Sequence, residues 1–288
     1  MSIRRWQVDD FRGDRRLLEP EDFAIGGDNP PPTDRVNESV WRNLMSLPDD
    51  VAIRTTNHYG SVVADLSDLR WSFLDIVEQN HDRLGHVLLD VQEEFGAAIV
   101  FAVQGFYRQS AASLRTGFEL SVIGAYCNAS STWAEFDRWE KGETELAFGS
   151  SADLFSRIPL VKALEAHIAS RVNDSLFRQR TRTSPGGWSR RLYATLSNFA
   201  HSRPRYANAD IWESNGPIYV PSAFINFGLL FTETYAFATL VIRLGRAGAQ
   251  LPGGVPAACR HTSSPWAQVC YSAHDFLNAP PPSKRGGA

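Results

Sequence analysis

The stretch RRLYATLSNFAHSRPR, residues 190–205, sets a histidine among arginines. Histidine is the side chain that titrates near neutrality, and a guanidinium presents a planar fork that matches phosphate. Together they suit one reaction in particular. A base takes the 2′-hydroxyl proton of RNA, an acid protonates the leaving 5′-oxygen, and a cation holds the charge that builds on phosphorus. Wound as a helix over 188–202, Trp188, Leu192, Leu196 and Phe199 share an apolar face. Arg190, Ala194, Ser197 and His201 lie opposite, with Tyr193 and Asn198 flanking. His201 then sits near the helix C-terminus, which favours imidazolium, while the arginines oppose it. These two pushes would hold it near neutrality. The plainer alternative is an exposed or capping histidine.

A second helix, over 106–129, carries charge only at Arg108, Arg115 and Glu119. All three fall within about 40° of one another on the helical wheel. The opposite side is Ser110, Ser113, Gly117, Ser121 and Gly124. So small and uncharged a face predicts a neighbouring helix at close approach. The charged stripe either meets water or lines an internal polar site.

Between Ser175 and Ala209 there are seven arginines and no Asp, Glu or Lys, although the net charge of the chain is −3. A local excess of this kind suits a phosphate-bearing partner. Arg178, Arg180, Arg182, Arg190, Arg203 and Arg205 are the expected nucleic-acid contacts. Tyr206, Trp212 and Tyr219, in the following loop, either stack on bases or pin that loop to the helices. Further on, Glu233 is the only charge between Pro221 and Ile242. A carboxylate in so apolar a helix is expected to be buried and paired, with Arg190, Arg191 or Arg115 as its partner.

The elements that must position these residues read as helices. Leu84, Leu88, Val91, Phe95, Ile99 and Ala102 repeat at helical spacing, and Gly105 follows as a stop. Val62, Leu66, Leu69, Phe73 and Val77 do the same. Helices are also predicted over 132–141, 158–177, 222–247 and 264–277, with a lone strand at 51–56. Residues 1–57 read as an arm with one short helix, 58–247 as an antiparallel helix bundle, and 248–288 as an extension with a short helix and a disordered tail. The fold class is mostly α. The 222–247 helix is long enough to span a bilayer, but Glu233 at its middle argues for a core helix and no membrane. Cys127, Cys259 and Cys270 are too few and too scattered for a disulfide framework or a zinc site. The charged start MSIRRWQVDDFRGDRR does not resemble a signal peptide. A cytoplasmic protein with reduced thiols, no metal and no cofactor is expected. A Gly-rich phosphate loop, a G-x-S-x-G elbow and an H-E-x-x-H helix are all missing from the chain.

GFYRQSAASLRTGFE, followed by RLYATLSNFAH, resembles the helical proteins grouped as HEPN (higher eukaryotes and prokaryotes nucleotide-binding) and their bacterial relatives. The resemblance covers roughly residues 62–245. It implies an α-helical domain that binds RNA or a nucleotide. In catalytic members it implies metal-independent ribonuclease activity in phage defence or toxin–antitoxin systems, with homodimers placing two histidines in one cleft. Their motif is Arg, four to six residues, then His. Here His201 matches, but the arginine positions hold Ala194, Thr195 and Leu196. Ser197 and Asn198 are polar neighbours that do not match the arginine, so Arg115 or Arg203 would have to substitute, and His201, Arg115, Glu119 and Ser197 make the candidate catalytic set. Two alternatives remain: a protein that binds and cleaves RNA, or an inactive helical module serving as nucleotide sensor, antitoxin or scaffold.

Overall fold

A computed structural model describes residues 44, 46–78, 82–200, 217–246, 249 and 265–278. Residues 1–43 and 45 of the N-terminal arm, His81, His201, Arg203, Arg205, Tyr206, Trp212, Cys259 and the C-terminal tail lie outside the described residues. The chain divides into two units, Met1–Ser46 and Leu47–Ala288, and the second carries the helical core. Among the described residues the regular structure is helical throughout, with no strand.

Helix α1 spans Leu47–Glu78, with a kink at Tyr59 (φ −128°, ψ 29°). The strand expected at 51–56 is therefore helix. The physical reason lies in the period. Val51 and Thr55, four apart, are the buried pair. The Thr55 and Thr56 hydroxyls donate back to the carbonyls of Val51 and Ala52, at 2.9 and 2.8 Å. Six residues of alternating character were too few to outweigh that pattern.

Helix α2, Arg83–Val103, starts where the Asp82 side chain accepts the Gly85 N–H at 3.1 Å. It ends at Gln104, and Gly105 turns the chain at φ +83°. A Cβ there would sit 2.6 Å from the Ile218 nitrogen, so both the conformation and the space require glycine.

Helix α3, Tyr107–Ser130, comes directly after this turn and lies at the centre. Its small face packs on α2 as the sequence predicts. Ser110 Oγ donates to the Ala98 carbonyl at 2.7 Å. A Cβ on Gly117 would lie 3.1 Å from the Phe95 ring, and one on Gly124 2.9 Å from Val87.

Short helices α4 (Trp133–Glu140) and α5 (Phe148–Phe155) come next, then α6 (Pro159–Val172). α6 ends five residues short of the expected 177, because Asn173 adopts the left-handed conformation (φ +52°) that asparagine tolerates. α7 covers Trp188–Ala200, α8 Pro221–Gly245 and α9 Pro265–Asn278. α3 packs against α2, α8, α7, α5 and α4, and α9 packs on α6.

The core is aromatic. Phe73 and Phe95 meet each other and Tyr235, and Phe95 meets Phe231, edge-on or tilted at 5.5–6.3 Å; Phe231 stacks on Tyr235 at 6.5 Å, and Phe118 meets Phe237 at 5.1 Å. α8 is long and apolar enough to cross a membrane, yet 67% of its most apolar window is buried inside the protein. Cys127 and Cys270 are both buried in the core.

Candidate functional site at the meeting of α3 and α7

The charged stripe of α3 turns under α7. Arg115 donates through Nη2 to the Tyr193 hydroxyl at 2.8 Å and to Glu119 Oε1 at 3.3 Å. Its guanidinium lies 5.1 Å from the centre of the Tyr193 ring. Side-chain exposure is 20% for Arg115 and 27% for Glu119, so this pair is held in the interface between the helices. Burial opposes the Arg115 charge, but Glu119 and Tyr193 outweigh it and hold the guanidinium above its ordinary pKa. Two turns earlier on α3, Arg108 Nε donates to the Phe199 carbonyl at 3.2 Å. That bond satisfies one of the carbonyls left open at the end of α7.

Ser197 lies between these two contacts along α7. Its Oγ is buried and has no hydrogen-bond partner among the described residues. A hydroxyl can donate once and accept twice, so this one has capacity to spare. A recess of about 30 Å³, room for about one water, is bordered by Ala111 of α3, Phe199 of α7 and Asn226 of α8.

Helix α5, which the sequence pattern did not announce, meets the polar side of α7 at Arg190 and Tyr193. Phe148 stacks on Tyr193 at 4.3 Å with planes 16° apart, so Tyr193 is clamped between an aromatic ring and a guanidinium. Arg190 is turned inward. It donates to Asp153 Oδ1 at 2.5 Å and the Gly149 carbonyl at 2.8 Å, and only 16% of its side chain is exposed. The expectation that Arg190 contacts nucleic acid is revised accordingly. Its Nη2 makes both bonds, and its Nε is buried with no hydrogen-bond partner among the described residues. Phe148, Ala152 and Phe155 recur at helical spacing, a signal that could have revealed α5.

The acid-free run is neutralised from outside. Arg191 holds Asp174 through two bonds, at 2.8 and 3.1 Å, and Arg178 reaches the same carboxylate at 3.7 Å. Burial alone would raise the Asp174 pKa. The Arg191 bonds, the Ser175 N–H and the two positive charges override it and hold the carboxyl below its ordinary range. Arg180 and Arg182 are exposed, with no ion pair among the described residues.

Glu233 does not take an arginine among the described residues. It is part-buried, and its partner is the indole N–H of Trp188 at 2.6 Å. Burial raises its pKa; the Trp188 bond and the Arg191 charge pull back only in part. The three arginines expected as partners are engaged elsewhere: Arg190 with Asp153, Arg191 with Asp174, and Arg115 with Glu119. Trp188 is itself fully buried, stacked on Trp266 at 5.5 Å. A neutral aromatic donor was nearer than any cation.

Tyr219 pins the chain ahead of α8. Its hydroxyl hydrogen-bonds His58 Nδ1, with the rings 5.7 Å apart. His58 and Tyr193 were not singled out from sequence as site residues, and both prove to be contact points between elements. Among the described residues no three His, Cys, Asp or Glu side chains gather as metal ligands. Comparisons of the chain with family models, curated proteins and solved structures find no match.

Proposed function

We propose that this chain is a helical RNA-binding protein of the HEPN type, and that it cleaves RNA without a metal where α3 meets α7. The observation that carries this reading is the placing of Arg115 and Glu119 beneath α7, on the helix that leads into His201. In this scheme His201 exchanges the protons. Arg115 supplies the charge that the missing motif arginine would have supplied, with Ser197, whose buried hydroxyl is unpartnered among the described residues, as a polar neighbour. Arg180 and Arg182, exposed on the 173–187 segment, hold the strand by its phosphates, with Arg203 and Arg205 continuing the run. A cytoplasmic role in phage defence or as a toxin, acting as a homodimer, belongs to the same reading.

One observation favours the inactive alternative. Positions 194–196 hold no arginine, and Leu196 is fully buried, so that turn of α7 serves the core. Arg190, further upstream, is spent on Asp153. On this second reading the module binds RNA or a nucleotide as a sensor, antitoxin or scaffold.

The test is incubation of end-labelled RNA with wild type, His201→Ala and Arg115→Gln in the presence of a chelator. Cleavage lost in both variants with binding retained supports the catalytic reading. Binding without cleavage by wild type selects the inactive module. Wild type that binds neither RNA nor a nucleotide, even at low salt, overturns both.

A further inference from the structure

A second concavity shares no lining residue with the α3–α7 contacts. It encloses about 430 Å³ between α5, α6 and the segment 173–179. Asp153, Arg157, Lys162, Glu165 and Arg178 are its ionisable lining residues.

Both carboxylates are already occupied in bracing the walls. Glu165 accepts the backbone N–H of Phe177 at 2.6 Å and of Leu176 at 3.1 Å, one on each oxygen. Asp153 accepts Arg190 on one oxygen and the Gln179 amide, at 2.8 Å, on the other. The cations are not matched in the same way. Arg157 and Lys162 are exposed and make no ion pair among the described residues. Arg178 has only a 3.7 Å approach to Asp174, whose two oxygens Arg191 already holds. Lys162 lies in the first turn of α6, where no side chain caps the helix, so the positive end of the helix dipole adds to the same rim. The result is a cleft with braced walls and a surplus of positive charge.

We infer that this cleft binds the phosphate of a small phosphorylated molecule. Arg178 provides a fork for two phosphate oxygens, and Arg157 and Lys162 provide charge. A phosphate dianion can engage three cations where a single carboxylate is matched by one. The volume exceeds phosphate alone and falls in the range of small-molecule pockets, leaving room for a sugar or nucleoside. The one aromatic in the lining, Phe177, is 2% exposed and offers no platform on which successive bases stack. That selects a small phosphate monoester over a nucleic-acid strand. Walls that are already braced need little ordering when the ligand enters.

The test is calorimetric titration of the full chain with inorganic phosphate and with a nucleoside 5′-monophosphate, chloride holding the ionic strength constant. The expected result is saturable binding at one site. Affinity should fall about tenfold or more in the Arg157→Gln/Lys162→Gln double variant, as loss of charge-assisted contacts implies. It should be unchanged in Lys141→Gln, an exposed lysine outside the lining. The substituted side chains are all exposed, so the ligand-free melting temperature should match wild type. Absence of saturable binding at millimolar phosphate, or equal affinity in the Arg157/Lys162 variant, overturns the proposal. The outcome is independent of RNA cleavage and binding, which depend on other residues.

Discussion

Two carboxylates show how one residue type can carry opposite signs in one protein. Asp174 sits between Arg191 and Arg178 and has its pKa lowered. Its contribution to stability is therefore present above the unfolded-state pKa and is lost as pH falls through the folded value. Asp174→Asn should destabilise by about 1–3 kcal/mol at neutral pH, the range for a hydrogen-bonded charge. In urea titrations across the acid range, that difference should shrink as pH falls; a constant difference would mean that the charge is idle. Glu233 behaves in reverse. Its pKa is raised by burial, so the folded state bears a cost that is absent at low pH. The cost sets in as pH rises past the ordinary glutamate value of about 4.3, and is complete above the folded pKa. Glu233→Gln keeps an oxygen to accept the Trp188 N–H and removes the charge. That variant should be at least as stable as the parent at neutral pH and should lose this pH dependence. Chemical denaturation of the pair decides it, and a Gln variant clearly weaker at neutral pH would refute the account.

At the scale of elements, the close approach of α2 and α3 is set by residues without bulk. A Cβ on Gly124 would lie 2.9 Å from Val87 Cγ1, and that β-branched side chain, stiff about χ1, can move aside only by shifting its helix. Gly124→Ala should therefore cost about 1–3 kcal/mol as an overpacked core does, despite the better helix propensity of alanine. Equal stability in denaturant would show that the two helices can move apart freely. α5 makes a second test. Phe148 is almost fully buried, stacks on Tyr193 and lies 5.3 Å beneath the Arg190 guanidinium. Phe148→Ala should cost about 3–5 kcal/mol and alter the near-ultraviolet circular dichroism of the aromatic cluster. A small loss of stability with an unchanged spectrum would mean that α5 does not hold the polar side of α7 in place.

For the whole molecule, the net charge of −3 conceals a local surplus that is smaller than the sequence suggests. Arg178, Arg190 and Arg191 have carboxylate partners, while Arg180 and Arg182 stand exposed. If RNA is bound through these last two, affinity should fall steeply with salt. Arg180→Ser/Arg182→Ser should reduce the slope of log affinity against log salt by about 1.4, two single-strand phosphate contacts at about 0.7 each. Fluorescence anisotropy with labelled RNA over a salt series measures this. An unchanged slope would move the contacts elsewhere.

The helices themselves were legible in the sequence because their signals are short-range. The repeat from Leu84 to Ala102, the turn at Gly105 and the proline opening α6 each act within a turn or two of chain. The small face of α3 even announced its close neighbour, since a stripe of Ser and Gly has few other uses. Period failed where segments were short, at 51–56 and at α5. What only the tertiary structure decided is the destination of the charges. Asp153 meets Arg190 across 37 residues, and Glu233 meets Trp188 across 45. A carboxylate takes whichever donor the packing brings within about 3 Å. That choice depends on how helices cross, and spacing along one helix does not encode it.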